Sequence, residues 1–219
     1  GSDRAIQVVA RRLPGDGTAV FRVETLVQDH DPDAPREGGG IARALITLAE
    51  SCPPPPAARP PALRCPAKIG WQGADIYPAR LHHGPLFQNL PGVPLRGENG
   101  LVADWVALPR GGLLRRAASP RFSLDPVLLE AIGAALALWH ARTPADGRVH
   151  LPAALDSLRL HAPPLAEWTR GRLNLFLRKP EGQTACADAE LLDDEGRVLL
   201  SAGRWRNRVF EVDPALHRL

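Results

Sequence analysis

Residues Phe122–Trp139 read FSLDPVLLEAIGAALALW. Asp125 offers a carboxylate suited to capping a helix, and Pro126 suits the first helical position because its missing N–H would have no partner there anyway. Leu128, Leu129, Ile132, Ala135, Leu136 and Trp139 then recur at helical spacing. From Pro126 to Trp139 the one charged residue is Glu130. A helix apolar nearly all round has to be buried on most sides. The pattern predicts a central buried helix over Asp125–Ala141, stopped by the Pro and Gly of Arg142–Arg148 (RTPADGR).

The flanking sequence reads as strands. Ala5–Arg12 and Thr18–Val27 carry β-type apolar spacing on either side of Pro14-Gly15-Asp16-Gly17, a hairpin signal. A polar loop, Asp29–Gly40, leads to a third run, Ile41–Ala49. After the helix, Ala154–His161, Leu173–Arg178, Thr184–Leu192, Arg197–Ala202 and Gly203–Val212 are strand-like, with a turn at Asp193–Gly196. Before it, Gly92–Gly100 reads as loop and Leu101–Leu108 as a strand. The fold class is α+β. One long helix among about five or six antiparallel strands excludes a doubly wound parallel sheet and points to the hotdog architecture, a sheet wrapped around its helix. Pro53–Pro56, Pro60-Pro61 and Pro66 forbid helix or central strand. The expected division is strands at 3–50, a proline-rich linker at 51–68 and the helix-centred domain at 69–219. The strands of 3–50 have no helix of their own to cover an apolar face.

Composition narrows the function. The 219 residues are 44% hydrophobic and 23% charged, which excludes wholesale disorder. A net charge of +3 is too weakly basic for a dedicated nucleic-acid binder. No apolar run approaches the roughly 20 residues of a membrane helix, and no signal peptide opens the sequence. The chain has no Met and starts Gly1-Ser2, so it reads as a piece of a longer polypeptide behind a cloning remnant. Cys52, Cys65 and Cys186 lack metal-ligand spacing and suit a reducing, cytoplasmic setting. A Cys52–Cys65 bridge across the proline loop is the alternative.

LHHGPLFQNLPGV (Leu81–Val93), the helix stretch Phe122–Trp139, VHLPAALDSLRLH (Val149–His161) and ADAELLDDEGRVLLSAGRWRNR (Ala187–Arg208) together resemble, in order and spacing, the dehydratase domains of polyketide synthases. Those domains are double hotdogs. The resemblance implies that 69–219 is a second hotdog and that 3–50 supplies the terminal strands of a first. It implies action on β-hydroxyacyl chains carried on the phosphopantetheine of an acyl carrier protein, with no other cofactor, among neighbouring synthase domains; a homodimer is compatible with it. The alternative function is a catalytically degenerate double-hotdog module that binds acyl chains or supports assembly.

The family's helix aspartate falls on Glu130, and the usual Gln or His four residues later falls on Ala134. Glu130 is the catalytic candidate, the acid that protonates the leaving hydroxyl. His83, Gly84, Pro85, Gln88 and Ala134 are the substrate-binding candidates. His83 stands where the family often has tyrosine, placed to hydrogen-bond the acid or line the tunnel mouth, and Gly84-Pro85 would turn the chain beside it. Phe87 reads as core. No ligand cluster accompanies His82-His83, so no metal is expected. Arg204, Arg206 and Arg208 alternate on one strand face that would suit an acidic carrier protein. The family's catalytic histidine lies in His-x-x-x-Gly-x-x-x-x-Pro, and none of the seven histidines here has Gly four positions on. With one acid and no recognisable base, the chain is expected to bind an acyl-pantetheine mimic without turning it over.

Overall fold

The computed structural model of the chain describes residues 5–13, 21–30, 42–77, 79–81, 83–115, 117, 120–141, 148–180 and 182–211. Two units, Gly1–Cys52 and Pro53–Leu219, each hold together by their own contacts. The first is an antiparallel meander of β1 (Ala5–Arg12), β2 (Phe21–His30) and β3 (Ala42–Leu48) in that order. These are the three expected strands. The Pro14–Gly17 turn and residues 31–40 of the polar loop lie outside the described residues. Arg11 reaches across the β1–β2 pair to Glu24 at 3.1 Å. Val8 and Leu45 each keep 63% of their surface exposed.

The second unit is the hotdog. Its sheet has the order β4-β5-β6-β9-β10-β11-β7, with β8 pairing a further stretch of β11. The strands are β4 (Ala67–Gln72), β5 (Gly92–Gly97), β6 (Gly100–Val106), β7 (Arg148–Ala154), β8 (Ser157–Leu160), β9 (Arg170–Leu177), β10 (Thr184–Asp193) and β11 (Val198–Glu211). All the pairings are antiparallel. A four-residue helix α1 (Gly73–Ile76) follows β4. The long helix α2 (Pro126–His140) lies in the curl of the sheet, against β6, β7, β9, β10 and β11.

The end of α2 forms as its sequence predicts. Asp125 Oδ1 accepts from the N–H of Val127 at 2.9 Å and of Leu128 at 3.5 Å. Ile132, Ala135, Leu136 and Leu138 are fully buried. Trp139 is half-buried and donates its indole N–H to Gly97 O at 2.8 Å. Asn207, also fully buried, donates to Gly133 O at 2.9 Å and accepts the Trp205 indole N–H at 2.8 Å. Residues 142–147 of the expected helix stop lie outside the described residues.

Four expectations are corrected. Gly92–Gly100 is not loop: 92–97 is β5, and its glycines serve close packing rather than turns. A Cβ on Gly97 would stand 2.7 Å from Arg64 O, and one on Gly100, where β6 begins, 2.1 Å from Leu175 O, so pairing overrides the weak strand propensity of glycine. Ala154–His161 is not one strand but the end of β7 and then β8, parted at Leu155-Asp156. Arg197–Ala202 and Gly203–Val212 are one strand, β11, with a register shift opposite Ala187–Ala189 and Arg204 at φ 51°. Finally, β4 starts at Ala67, inside the segment assigned to the linker. The sheet therefore holds eight strands. Cys52, Cys65 and Cys186 are thiols, and no Cys52–Cys65 bridge forms. Among the described residues no helix is long and apolar enough to cross a membrane, and no group of three His, Cys, Asp or Glu could hold a metal ion.

The face of the sheet turned away from α2 carries buried charge. Glu190 and Asp188 on β10 are almost fully covered. Arg59, from the proline stretch, donates its backbone N–H and Nε to Glu190 at 2.9 and 2.6 Å, and Nη1 to Asp188 at 3.3 Å. Its guanidinium lies 4.1 Å from the Phe176 ring centroid, and Asn174 donates to its carbonyl at 3.3 Å. The proline segment is thereby strapped to the sheet. Burial alone would raise the pKa of Asp188, but hydrogen bonds from Arg178, the Arg204 N–H and Arg59, with the charge of Arg178, hold it below the ordinary value.

Two outcomes are expected for stability. A folded-state pKa below the unfolded value of about 3.9 adds stability that is complete above about pH 5 and lost as pH falls through the folded value. Urea midpoints should therefore be flat from pH 7 to about 5 and drop below about 4, with a shallower acid limb in Asp188→Asn. Arg59→Ala leaves the buried Glu190 carboxylate with the backbone N–H of residue 59 but without its counter-charge, and should cost about 2 kcal/mol, less than a fully buried pair because Arg59 is half exposed. An unchanged midpoint at pH 7 would show that the strap adds nothing to the fold.

Candidate active site

The segment between α1 and β5 is pinned to the start of α2. Tyr77, the one tyrosine of the chain, is buried, and its hydroxyl accepts the Leu90 N–H at 3.2 Å. Asn89, fully buried, donates its side-chain amide to Val127 O in the first turn of α2. Gly84 precedes a 3-10 turn, Pro85–Phe87, which closes with Phe87 N–H donating to Gly84 O at 2.9 Å. Gln88 folds back and donates to His83 O at 2.9 Å. The Tyr77 ring meets the His83 ring edge-on, with centroids 6.3 Å apart. These contacts hold the His83 imidazole over the second turn of α2.

There His83 Nε2 lies 2.9 Å from Glu130 Oε1, and the two side chains are 24% and 25% exposed. His83 Nδ1 is buried and has no hydrogen-bond partner among the described residues. Both side chains open onto a pocket of about 390 Å³. Its floor is one face of α2: Glu130, Gly133, Ala134, Ala137 and Ala141, spaced i, i+3, i+4, i+7 and i+11. Eleven residues of helix make that floor about 16 Å long. Val149–Pro152 of β7 forms a facing wall. A Cβ on Gly133 would come 3.3 Å from Pro152 Cγ and 3.5 Å from Glu130 Oε1, so glycine keeps the floor low beside the acid.

Of the sequence candidates, Glu130, His83 and Ala134 line this pocket together. Gly84, Pro85 and Gln88 are not among its lining residues; they shape the loop that carries His83. Phe87, read as core, is a lining residue. The sequence reading missed Tyr77, Asn89 and the β7 wall. A polar Asn set between Phe87 and Leu90 is the signal that would have marked Asn89 as a tether. His82 lies outside the described residues. Of the arginine row, Arg204 and Arg206 both bind Asp156, at 2.9 and 2.7 Å. Arg206 and Arg208 also border a second pocket of about 450 Å³ with Thr184.

The family model for the polyketide synthase dehydratase N-terminal domain matches residues 54–216. The fold is similar to the dehydratase domain from the CurH module of curacin polyketide synthase, at 17% identity and a TM-score of 0.63, covering 96% of this chain and 72% of that one. A trans-AT polyketide synthase dehydratase domain from Brevibacillus brevis gives 19% identity and 0.61, over 94% and 70%. The bifunctional dehydratase-cyclase domain of ambruticin biosynthesis gives 23% and 0.55, over 97% and 70%. At these identities the likeness is one of fold. No curated protein matches the sequence.

Burial foremost, and then the charge of Glu130, push the Tyr77 phenol up to about 12, against the opposing Leu90 N–H bond. Because Tyr77 is the sole tyrosine, its phenolate absorbance can be followed without interference. An alkaline ultraviolet titration of the folded chain should show a midpoint near 12. A midpoint near the ordinary value of about 10 would mean that this loop is not closed over the ring.

Proposed function

Because the chain belongs to the polyketide synthase dehydratase family, we propose that its pocket takes a β-hydroxyacyl chain and that Glu130 is the general acid of its dehydration. The chain arrives as a thioester on the phosphopantetheine arm of an acyl carrier protein, and the neighbouring synthase domains are the other partners. The observation that supports this reading best is the placement of Glu130. The sole charged side chain between Pro126 and Trp139 faces a pocket, against His83.

Loss of water breaks a Cα–H and a Cβ–O bond. Hydroxide leaves poorly, so an acid must protonate the oxygen as it departs. Glu130 has the chemistry for that step. The floor beyond it carries no side chain larger than a methyl group, and this suits an extended apolar chain. The reading calls for no cofactor held by this chain, because the pantetheine belongs to the carrier. The family pattern places Asp at position 130 and Gln or His at 134. Here the acid is one methylene longer and its helical partner is a methyl group. The Glu130 carboxylate meets His83 Nε2 at 2.9 Å.

Titration calorimetry with a β-hydroxybutyryl pantetheine thioester tests the pocket. Ala134→Leu should weaken binding at least about tenfold, or ~1.4 kcal/mol, while Glu130→Gln should leave it within about twofold, since a protonated acid and an amide have similar shapes. Full affinity in Ala134→Leu would place the acyl chain elsewhere. Incubation with a β-hydroxyacyl carrier protein, followed by mass spectrometry, should show saturable binding with unchanged mass, since this chain carries no histidine in the family's motif; loss of one water would mean that the pocket supplies a base of its own.

A further inference from the structure

Three exposed apolar side chains stand on neighbouring turns outside the pocket. Trp168 is 62% exposed, whereas the other four tryptophans are buried or half-buried. Leu114 keeps 48% of its surface exposed and Leu86 41%. The turns touch one another. A Cβ on Gly112 would stand 3.9 Å from Leu86 Cδ1. Arg110, two residues before it, donates its backbone N–H to Glu167 Oε1 at 3.1 Å, next to Trp168.

Each side chain is displayed by backbone that is held. Trp168 N–H donates to Ala107 O at 2.6 Å, and Ala107 N–H to Thr169 O at 2.8 Å, just beyond the end of β6. The φ of Trp168 is 68°, in the left-handed region where a bulky residue is rare. Such positions persist where the surroundings impose them, and they cluster at ligand clamps. Leu114 sits between two turns, closed by Leu113 N–H on Arg110 O and Ala117 N–H on Leu114 O, both at 3.3 Å. Leu86 is the middle residue of the 3-10 turn Pro85–Phe87.

The charge around these residues has one sign. Arg110 and Asp125 close the base of a loop at 2.9 Å. Between them lie Arg115, Arg116 and Arg121 and no acidic residue. Arg115 and Arg121 are exposed, and neither forms an ion pair among the described residues. The arginine row on β11 is committed elsewhere: Arg204 and Arg206 to Asp156, and Arg208 over the Phe210 ring at 5.3 Å.

We propose that Leu86, Leu114 and Trp168, with Arg115 and Arg121, form the surface on which the acidic acyl carrier protein docks. This rests on the reading of the pocket as an acyl site. Tryptophan and arginine are the residues that most often anchor interfaces, and complementary charge brings the partners together. Phe87, next to Leu86, lines the pocket, so a carrier seated here has the pocket beside it for its arm.

The test is calorimetry on the whole chain with two ligands: a β-hydroxybutyryl carrier protein and the free β-hydroxybutyryl pantetheine thioester. Trp168→Gly removes the ring and suits the left-handed backbone. It should weaken the carrier at least about tenfold and leave the thioester within about twofold. Arg115→Glu with Arg121→Glu should weaken the carrier at least about threefold and flatten its salt dependence. Arg208→Glu should change neither ligand by more than about twofold. Full carrier affinity in Trp168→Gly, equal loss of both ligands in that variant, or a larger loss of carrier in Arg208→Glu overturns the surface. So does a wild type that binds the carrier no more tightly than the free thioester. A wild type that binds the carrier but not the free thioester defeats the acyl pocket instead, and Trp168→Gly still decides the docking surface.

Discussion

The hydrophobic drive that buries α2 has no direction. With apolar residues on nearly every face, the helix gains about as much from one rotation as from another. Its orientation is fixed instead by a few hydrogen bonds to groups that would otherwise be buried and unmet. Asp125 caps the first turn and at the same time holds Arg110 at 2.9 Å, whose other end donates to Leu165 O at 2.7 Å. Asn89 takes the Val127 carbonyl, Asn207 the Gly133 carbonyl, and Trp139 reaches Gly97. A buried polar group left unpaired costs about 1–3 kcal/mol, so a turned helix would lose several such contacts together. This is what aims Glu130 at the pocket.

The opposite face of the sheet uses a different device. Polar side chains on β10 would be solvated on an open antiparallel sheet. Here Glu190 and Asp188 are covered by the proline stretch, and Arg59 brings both the charge and the backbone N–H that the carboxylates need. Proline has no N–H to leave unmet and has little conformational freedom to lose. A proline-rich strap with one arginine is therefore an economical cover for a charged face. Close approach matters on this sheet too: Gly171 has no Cβ to collide with the Trp105 indole, which donates to Arg172 O and Leu192 O.

The pocket joins these constraints to chemistry. Its floor is low because positions 133, 134 and 137 carry no side chain beyond a methyl group. Its polar end depends on a loop that Asn89 holds to α2 and that Tyr77 and Gln88 brace from within. Two departures from the family pattern, Glu for Asp at 130 and Ala for Gln or His at 134, fall within one pocket with His83. In the proposed function they act together, the longer acid reaching a partner on the loop where the family uses a partner on the helix.

The helix, its cap, its burial and the antiparallel character of its surroundings were legible in Phe122–Trp139 and the flanking alternations, because cap chemistry and 3.6-residue periodicity are local. The quoted motifs also carried the family resemblance, and Glu130 stood out as a lone charge in an apolar run. Other features were decided in three dimensions. β5 forms from a glycine-rich segment because strands on both sides pair with it. The break at Leu155-Asp156 is set by β11, where Arg204 and Arg206 share the Asp156 carboxylate. The meeting of His83 with Glu130 spans 47 residues, and no local pattern encodes it. It depends on Asn89 finding the Val127 carbonyl, a contact that exists only once the helix has been buried and turned.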